Sequence, residues 1–112
     1  MQEPGIVMVF ITTSEDEESR LIARVLLEQK KAACVNILPG INSLYWWQKK
    51  IDQDHESLLI VKTRMELLEE VVRLVKEVHS YDVPEIIAVP VVGGNDDYID
   101  WINREVTTEE AE

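Results

Sequence analysis

Only one thiol and two imidazoles occur in the 112 residues, Cys34, His55 and His79, so any chemistry that needs soft or borderline ligands must be built around them. A single cysteine excludes an intramolecular disulfide framework and every paired-thiolate motif for zinc, redox exchange or cuprous ion. Cys34 sits in AACVNI, among small and apolar residues, where a free thiol acts as a small core hydrophobe; a buried, unreactive side chain is expected. No histidine adjoins it, so a nucleophilic thiolate would need a base delivered by the fold. His55 lies in DQDHES and reads as a solvated histidine of a polar turn. His79 ends an amphipathic stretch, where an imidazolium suits a helix C-terminus, and Tyr81, Asp82 and Glu85 follow it as oxygen donors. One imidazole with carboxylates suits a borderline cation such as Cu(II), and an ordinary helix-capping histidine satisfies the same pattern. Neither a GxSxG elbow nor a glycine-rich phosphate loop is present, and a binding protein is expected here, not an enzyme.

Asp and Glu number 22 against 11 Lys and Arg, a formal net charge of -11. That field repels phosphate backbones and anionic lipid, so neither nucleic acid nor membrane is expected as a partner. It also concentrates cations, but an acidic surface serves solubility equally, and charge alone specifies no metal site. The N-terminus, MQEPGIVMVFITT, lacks a basic region and its apolar run is short, which reads as neither signal peptide nor membrane span. With one cysteine, the cytoplasm is the expected compartment.

The elements that must position these residues follow from periodicity. Residues 6–13 are apolar and β-branched, too short for a helix, and read as a buried central strand. Ser14 with Glu17 has capping-box spacing ahead of a helix carrying Leu21, Ile22, Val25 and Leu26 and ending at Lys30-Lys31. Residues 32–38 and 41–47 read as one long strand interrupted at Pro39-Gly40 by a bulge, residues 49–54 as the turn, and 57–62 as the returning strand. Thr63 with Glu66 has the spacing of a second capping box, ahead of a helix with Leu67, Leu68, Val71, Val72, Val75 and Val78 as its apolar stripe. Residues 86–92 read as a fourth strand, Asn95 as the cap of a short helix bearing Tyr98, Trp101 and Ile102, and residues 107–112 as a frayed tail.

The order is βαββαβ with an added C-terminal helix: an α+β, ferredoxin-like sandwich with a long hairpin between its second and third strands, forming a single domain over residues 1–112. Several functions share this architecture. RNA recognition places stacking aromatics and basic residues on the central strands, and IVMVFITT and SLLIVKT supply neither. Trp46 and Trp47 are adjacent on a strand and point to opposite faces, so both cannot enter the core of one protomer. A long apolar hairpin at a sheet edge invites pairing with another chain, which makes a homo-oligomer the expectation.

Four stretches in order, KKAACVNILPGINSLYWWQKKIDQD, ESLLIVKT, VHSYDVPEIIAVPV and NDDYIDWI, resemble successive blocks of the CutA family over nearly the whole chain. The resemblance implies a ferredoxin-like protomer that assembles as a homotrimer through its long hairpin, similar to PII signalling proteins. It also implies a role in tolerance of divalent metals, with Cu(II) or another divalent cation as ligand. By motif position it carries over His79 and Glu85 as metal-site residues, and Trp47 and Tyr81 as residues of a ligand cleft. Some members have a cysteine near the end of the first strand, proposed as a copper ligand, where Ile11 stands here. Of two adjacent histidines in such members the second matches His79, and the first is Val78. The alternative implied by the resemblance is a PII-like signalling or scaffolding module that binds a small metabolite or a protein between subunits.

Overall fold

Alternating apolar residues set the sheet; the first two helices cover one side of it, and the third sets Tyr98 over Lys62 of the other side. The computed structural model describes residues 3–107. In chain order the elements are β1 (Ile6–Thr13), α1 (Asp16–Glu28), β2 (Cys34–Trp47), β3 (Lys50–Arg64), α2 (Leu68–Val78), β4 (Ile86–Pro90) and α3 (Asp96–Glu105). The sheet order is β2-β3-β1-β4 and every pairing is antiparallel, the arrangement expected of a ferredoxin-like βαββαβ chain. Val7, Val9 and Ile11 of β1 with Leu59 and Val61 of β3 face α1 and α2, which contribute Ile22, Ala23, Leu26, Val71, Leu74 and Val75. This is the core, and the strand period of two puts the neighbouring residues Met8, Phe10, Leu58 and Ile60 on the opposite, open face.

Both proposed capping boxes are displaced. α1 begins at Asp16 behind an extended Glu15 that makes no side-chain cap, and Ser14 is bonded instead by Glu18, whose Oε1 accepts from the Ser14 amide at 3.1 Å and its hydroxyl at 3.2 Å. The physical cause is Thr13, which is buried at the end of β1 and pairs its hydroxyl with that of Ser19, fixing the helix one residue later. Thr63 is likewise buried and donates its hydroxyl to the Lys31 carbonyl at 2.6 Å, so α2 is entered through the 3-10 turn Met65–Leu67 without a side-chain cap. Asn95 does cap α3, its Oδ1 accepting from the Asp97 amide at 3.0 Å.

The lysine pair after α1 does something other than neutralise the helix dipole. Lys30 adopts φ 61, and the bonds from the Lys30 amide to Leu27 O and the Lys31 amide to Leu26 O form a Schellman cap with lysine in the left-handed position. Lys31 turns inward, its side chain only 4% exposed, donating to the Thr107 carbonyl at 3.0 Å and pairing with Glu70 at 3.4 Å. Thr107 is therefore tied down, returning its amide to Lys30 O, and the rest of the proposed frayed tail lies outside the described residues. Cys34 is half-buried, not fully buried, because it opens β2 on the open face of the sheet, in register with Lys62.

The hairpin is longer and its turn tighter than the polarity of residues 49–54 suggests. Trp47 pairs with Lys50, leaving a two-residue turn of Gln48 and Lys49, both at positive φ (49 and 65), as a type I′ connection requires. His55 thus stands in the middle of β3 opposite Asn42, still exposed, and not in a turn. β4 ends at Pro90, two residues before the expected limit, where Val91 donates to the Ile6 carbonyl and leaves the strand.

Candidate functional site

A register change decides which tryptophan reaches the site. Up to Leu38 the even-numbered residues of β2 share the open face of the sheet with Leu58, but Pro39 and Gly40 together oppose the single residue Ser57, and pairing resumes at Ile41 with Glu56. This bulge, with Gly40 at φ 74, shifts the parity by one. Ile41, Ser43, Tyr45 and Trp47 then share a face with Glu56 and Asp54 of β3, while Trp46 points away. β1 ends at Thr13, paired with Ser57, so the hairpin beyond that point overhangs the sheet. The link between α2 and β4 runs beside the overhang.

Between hairpin and link lies an open cleft of about 720 Å³, within the usual range for small-molecule sites. Trp47, Tyr45, Asp54 and Glu56 come from the hairpin and Tyr81 and Glu85 from the link. Three of the four carried-over residues, Trp47, Tyr81 and Glu85, are thus brought onto one cleft. Asp82, read from the sequence as an oxygen donor beside His79, lines it too, whereas Thr12, Tyr45, Asp54, Glu56 and Val83 carry no such reading in the sequence. The signal for the hairpin carboxylates was there: Asp52, Asp54 and Glu56 recur at a spacing of two, which marks one face of a strand once the stretch is not assigned to a turn.

The tyrosines point their hydroxyls at carboxylates. Tyr81 donates to Glu56 Oε2 at 2.9 Å, and burial, then this bond and the Glu56 charge, raise the phenol above its ordinary range. Tyr45 donates to Asp54, a bond that with the neighbouring acid charges pushes its hydroxyl up to about 12. Both phenols therefore stay protonated at neutral pH.

His79 stands behind Tyr81, the rings 4.7 Å apart between centroids, and its imidazole is fully buried. Nε2 donates to the Thr12 carbonyl at 2.8 Å and Nδ1 accepts from the Tyr81 amide at 3.0 Å, which together define the Nε2-protonated tautomer. The histidine thereby joins the end of β1 to the first residues of the link and sets where Tyr81 emerges. Glu18 completes this network: burial pushes its carboxyl up, but bonds from Ser80 and Ser14, and the nearby His79, outweigh that and hold it below the ordinary range. Metal ligation by His79 would require releasing one of its two bonds. Among the described residues no group of three or more His, Cys, Asp or Glu side chains is arranged to hold a metal ion.

A four-stranded antiparallel sheet covered on one side by α1 and α2, with a cleft at the base of its long hairpin, defines a ferredoxin-like α/β sandwich. The chain belongs to the CutA1 divalent ion tolerance protein family, whose model matches residues 7–105. It is 45% identical over 97 residues to the divalent-cation tolerance protein CutA of Thermus thermophilus, covering 87% of this chain and 94% of that one. It is 48% identical over 101 residues to the chloroplastic protein CutA 1 of Oryza sativa subsp. japonica, covering 90% of this chain and 56% of the relative. The chain thus spans little more than half the length of the plant relatives it matches. The crystal structure of CutA1 from Oryza sativa superposes with a TM-score of 0.90 at 43% identity, over 93% of this chain and 95% of that one. Among the described residues no helix is long and apolar enough to cross a membrane.

Proposed function

We propose that this protein serves divalent-cation tolerance as a homotrimer that binds its ligand in the cleft between hairpin and link. The observation that carries the assembly is the uncovered apolar surface. Trp46, Leu44 and Ile51 at the hairpin tip are 72%, 66% and 65% exposed, and Ile87 and Val89 extend an apolar open face across the sheet from Met8 and Phe10. Surface of this kind on a long edge strand is stabilised when further copies close over it. Light scattering tests the assembly: three times the chain mass is expected at micromolar concentration, and a monomer would overturn it. Substituting Trp46→Asp should dissociate the assembly.

Copper or another divalent cation, held by His79 and Glu85, is the ligand that the motif resemblance implies. Glu85 stands on the cleft wall and His79 behind it, so binding there would displace the Tyr81 amide from Nδ1. Native mass spectrometry with Cu(II), on the natural chain and on His79→Ala and Glu85→Ala, reports metal stoichiometry and assembly together. The second reading, a signalling module that binds a small metabolite, is favoured by the occupied ring nitrogens of His79 and by a cleft far larger than one ion. The cytoplasm is the proposed compartment, supported by the lone free thiol.

A further inference from the structure

Four carboxylates, those of Asp54, Glu56, Asp82 and Glu85, line the cleft, and none is in an ion pair among the described residues. Glu56 carries the argument furthest. The residue is 8% exposed, and the hydrogen-bond partner of its carboxylate is a neutral phenol, so a largely buried glutamate borders the cleft without a counterion among the described residues. A buried charge left unpaired is costly, and a cation arriving in the cleft would relieve that cost. The hydroxyl hydrogens of Tyr45 and Tyr81 are already engaged as donors to Asp54 and Glu56, which leaves the walls richer in acceptors than in donors. The complementary ligand brings donors and positive charge.

A bare ion fits the other features poorly. Divalent cations need several oxygens converging at about 2.0–2.6 Å, and no such group is assembled among the described residues. The cleft of about 720 Å³ also has apolar and aromatic walls from Trp47 and Val83, which would be left wet around an ion. A protonated amine on an apolar body satisfies both halves, its N–H groups on the carboxylates and its body or charge against the indole of Trp47. We propose that the cleft binds an organic cation, a primary or secondary ammonium carried on an apolar body; the inference rests on the reading of this cleft as the ligand site.

Calorimetric titration of the full chain with benzylammonium chloride, with uncharged benzyl alcohol and with CuCl2 tests this. Benzylammonium should bind saturably, and benzyl alcohol at least about tenfold more weakly, as should benzylammonium to the Asp54→Asn/Glu56→Gln chain, because charge-assisted bonds are lost. Circular dichroism and native mass of the variant should match the natural chain; should it fail to fold, exposed Glu85→Gln carries the same comparison. Equal affinity for the alcohol, or unchanged binding by the folded variant, overturns the organic cation. If CuCl2 binds in a manner that these substitutions abolish while benzylammonium does not bind, the cleft stands as the site and its ligand is a metal. If neither probe responds to any cleft substitution, the cleft is not the ligand site and both readings fall.

Discussion

Removing one oxygen, by Tyr81→Phe, isolates the bond between the link and the hairpin. The ring keeps its packing against His79, and only the donor to Glu56 Oε2, at 2.9 Å, is lost. A hydrogen bond to a charged group contributes about 1.5–3 kcal/mol when fully buried, and because Glu56 borders an open cleft that water can enter, about 1–2 kcal/mol is expected. For a chain of 112 residues the unfolding entropy is about 0.24 kcal/mol/K, so the midpoint should fall by about 4–9 °C. The comparison must be made at one protein concentration, since assembly makes the midpoint concentration-dependent. The sign of the pH dependence follows from the raised phenol. The bond's contribution is fully present below the unfolded tyrosine value of about 10 and declines above it, as the unfolded phenol ionises while the folded one resists. The gap between natural chain and variant should therefore narrow from pH 9 to 11, while Tyr45, pushed up to about 12, leaves the variant some alkaline sensitivity of its own. An unchanged midpoint, or a gap constant across that range, refutes the assignment of the bond.

Lys30→Gly should stabilise the chain by about 0.5–1 kcal/mol in urea unfolding, since glycine adopts φ 61 without the side-chain clash a lysine carries there. Lys31→Met should cost about 1.5–3 kcal/mol, because it removes the donor to Thr107 O while Glu70, half-exposed, returns to water; faster hydrogen exchange of the Thr107 amide is the local readout. Glu18→Gln should flatten the acid limb of the stability curve. The carboxyl is held below its ordinary value, so its contribution is present above about pH 4.5 and is lost as pH falls through the folded value. An acid limb as steep in the variant as in the natural chain would show that Glu18 does not bridge Ser14 and Ser80.

Elements were legible where side chains repeat, and illegible where a backbone bond decides. The limits of β1 were read to the residue because eight apolar and β-branched residues in a row admit no other element. The order βαββαβ with right-handed crossovers narrows the topologies to a few, among them the observed order β2-β3-β1-β4. The helix starts were misplaced because Thr13 and Thr63, which look like caps or cap neighbours in sequence, are buried and spend their hydroxyls on tertiary partners, Ser19 and the Lys31 carbonyl. The tight turn was hidden by its residues: Gln48 and Lys49 carry none of the asparagine or glycine that announces a type I′ connection. That one misreading moved His55 into a loop and concealed Asp54 and Glu56 as wall residues. Of the carried-over site, Trp47, Tyr81 and Glu85 converge, whereas the bond that occupies Nε2 of His79 runs to a carbonyl 67 residues away and could not be read locally.

The cleft exists because two parities agree. A strand fixes only that alternate residues share a face, so an uninterrupted β2 would have turned Trp46 towards Glu56 and left Trp47 outside. The extra residue at Pro39-Gly40 reverses that choice for the outer half of the strand alone, after the inner half has already committed Val35 and Ile37 to the core. An edge position tolerates both the proline, which has no amide to pair, and the positive φ of Gly40. The same strand therefore serves two surfaces: its inner half packs under α1 and α2, and its outer half presents Tyr45 and Trp47 to the link. His79 makes the other wall equally definite, since its two bonds fix the link against the end of β1 before Tyr81 reaches Glu56. In this arrangement the imidazole is a strut held at both ring nitrogens, and the cleft in front of it presents carboxylates beside an indole.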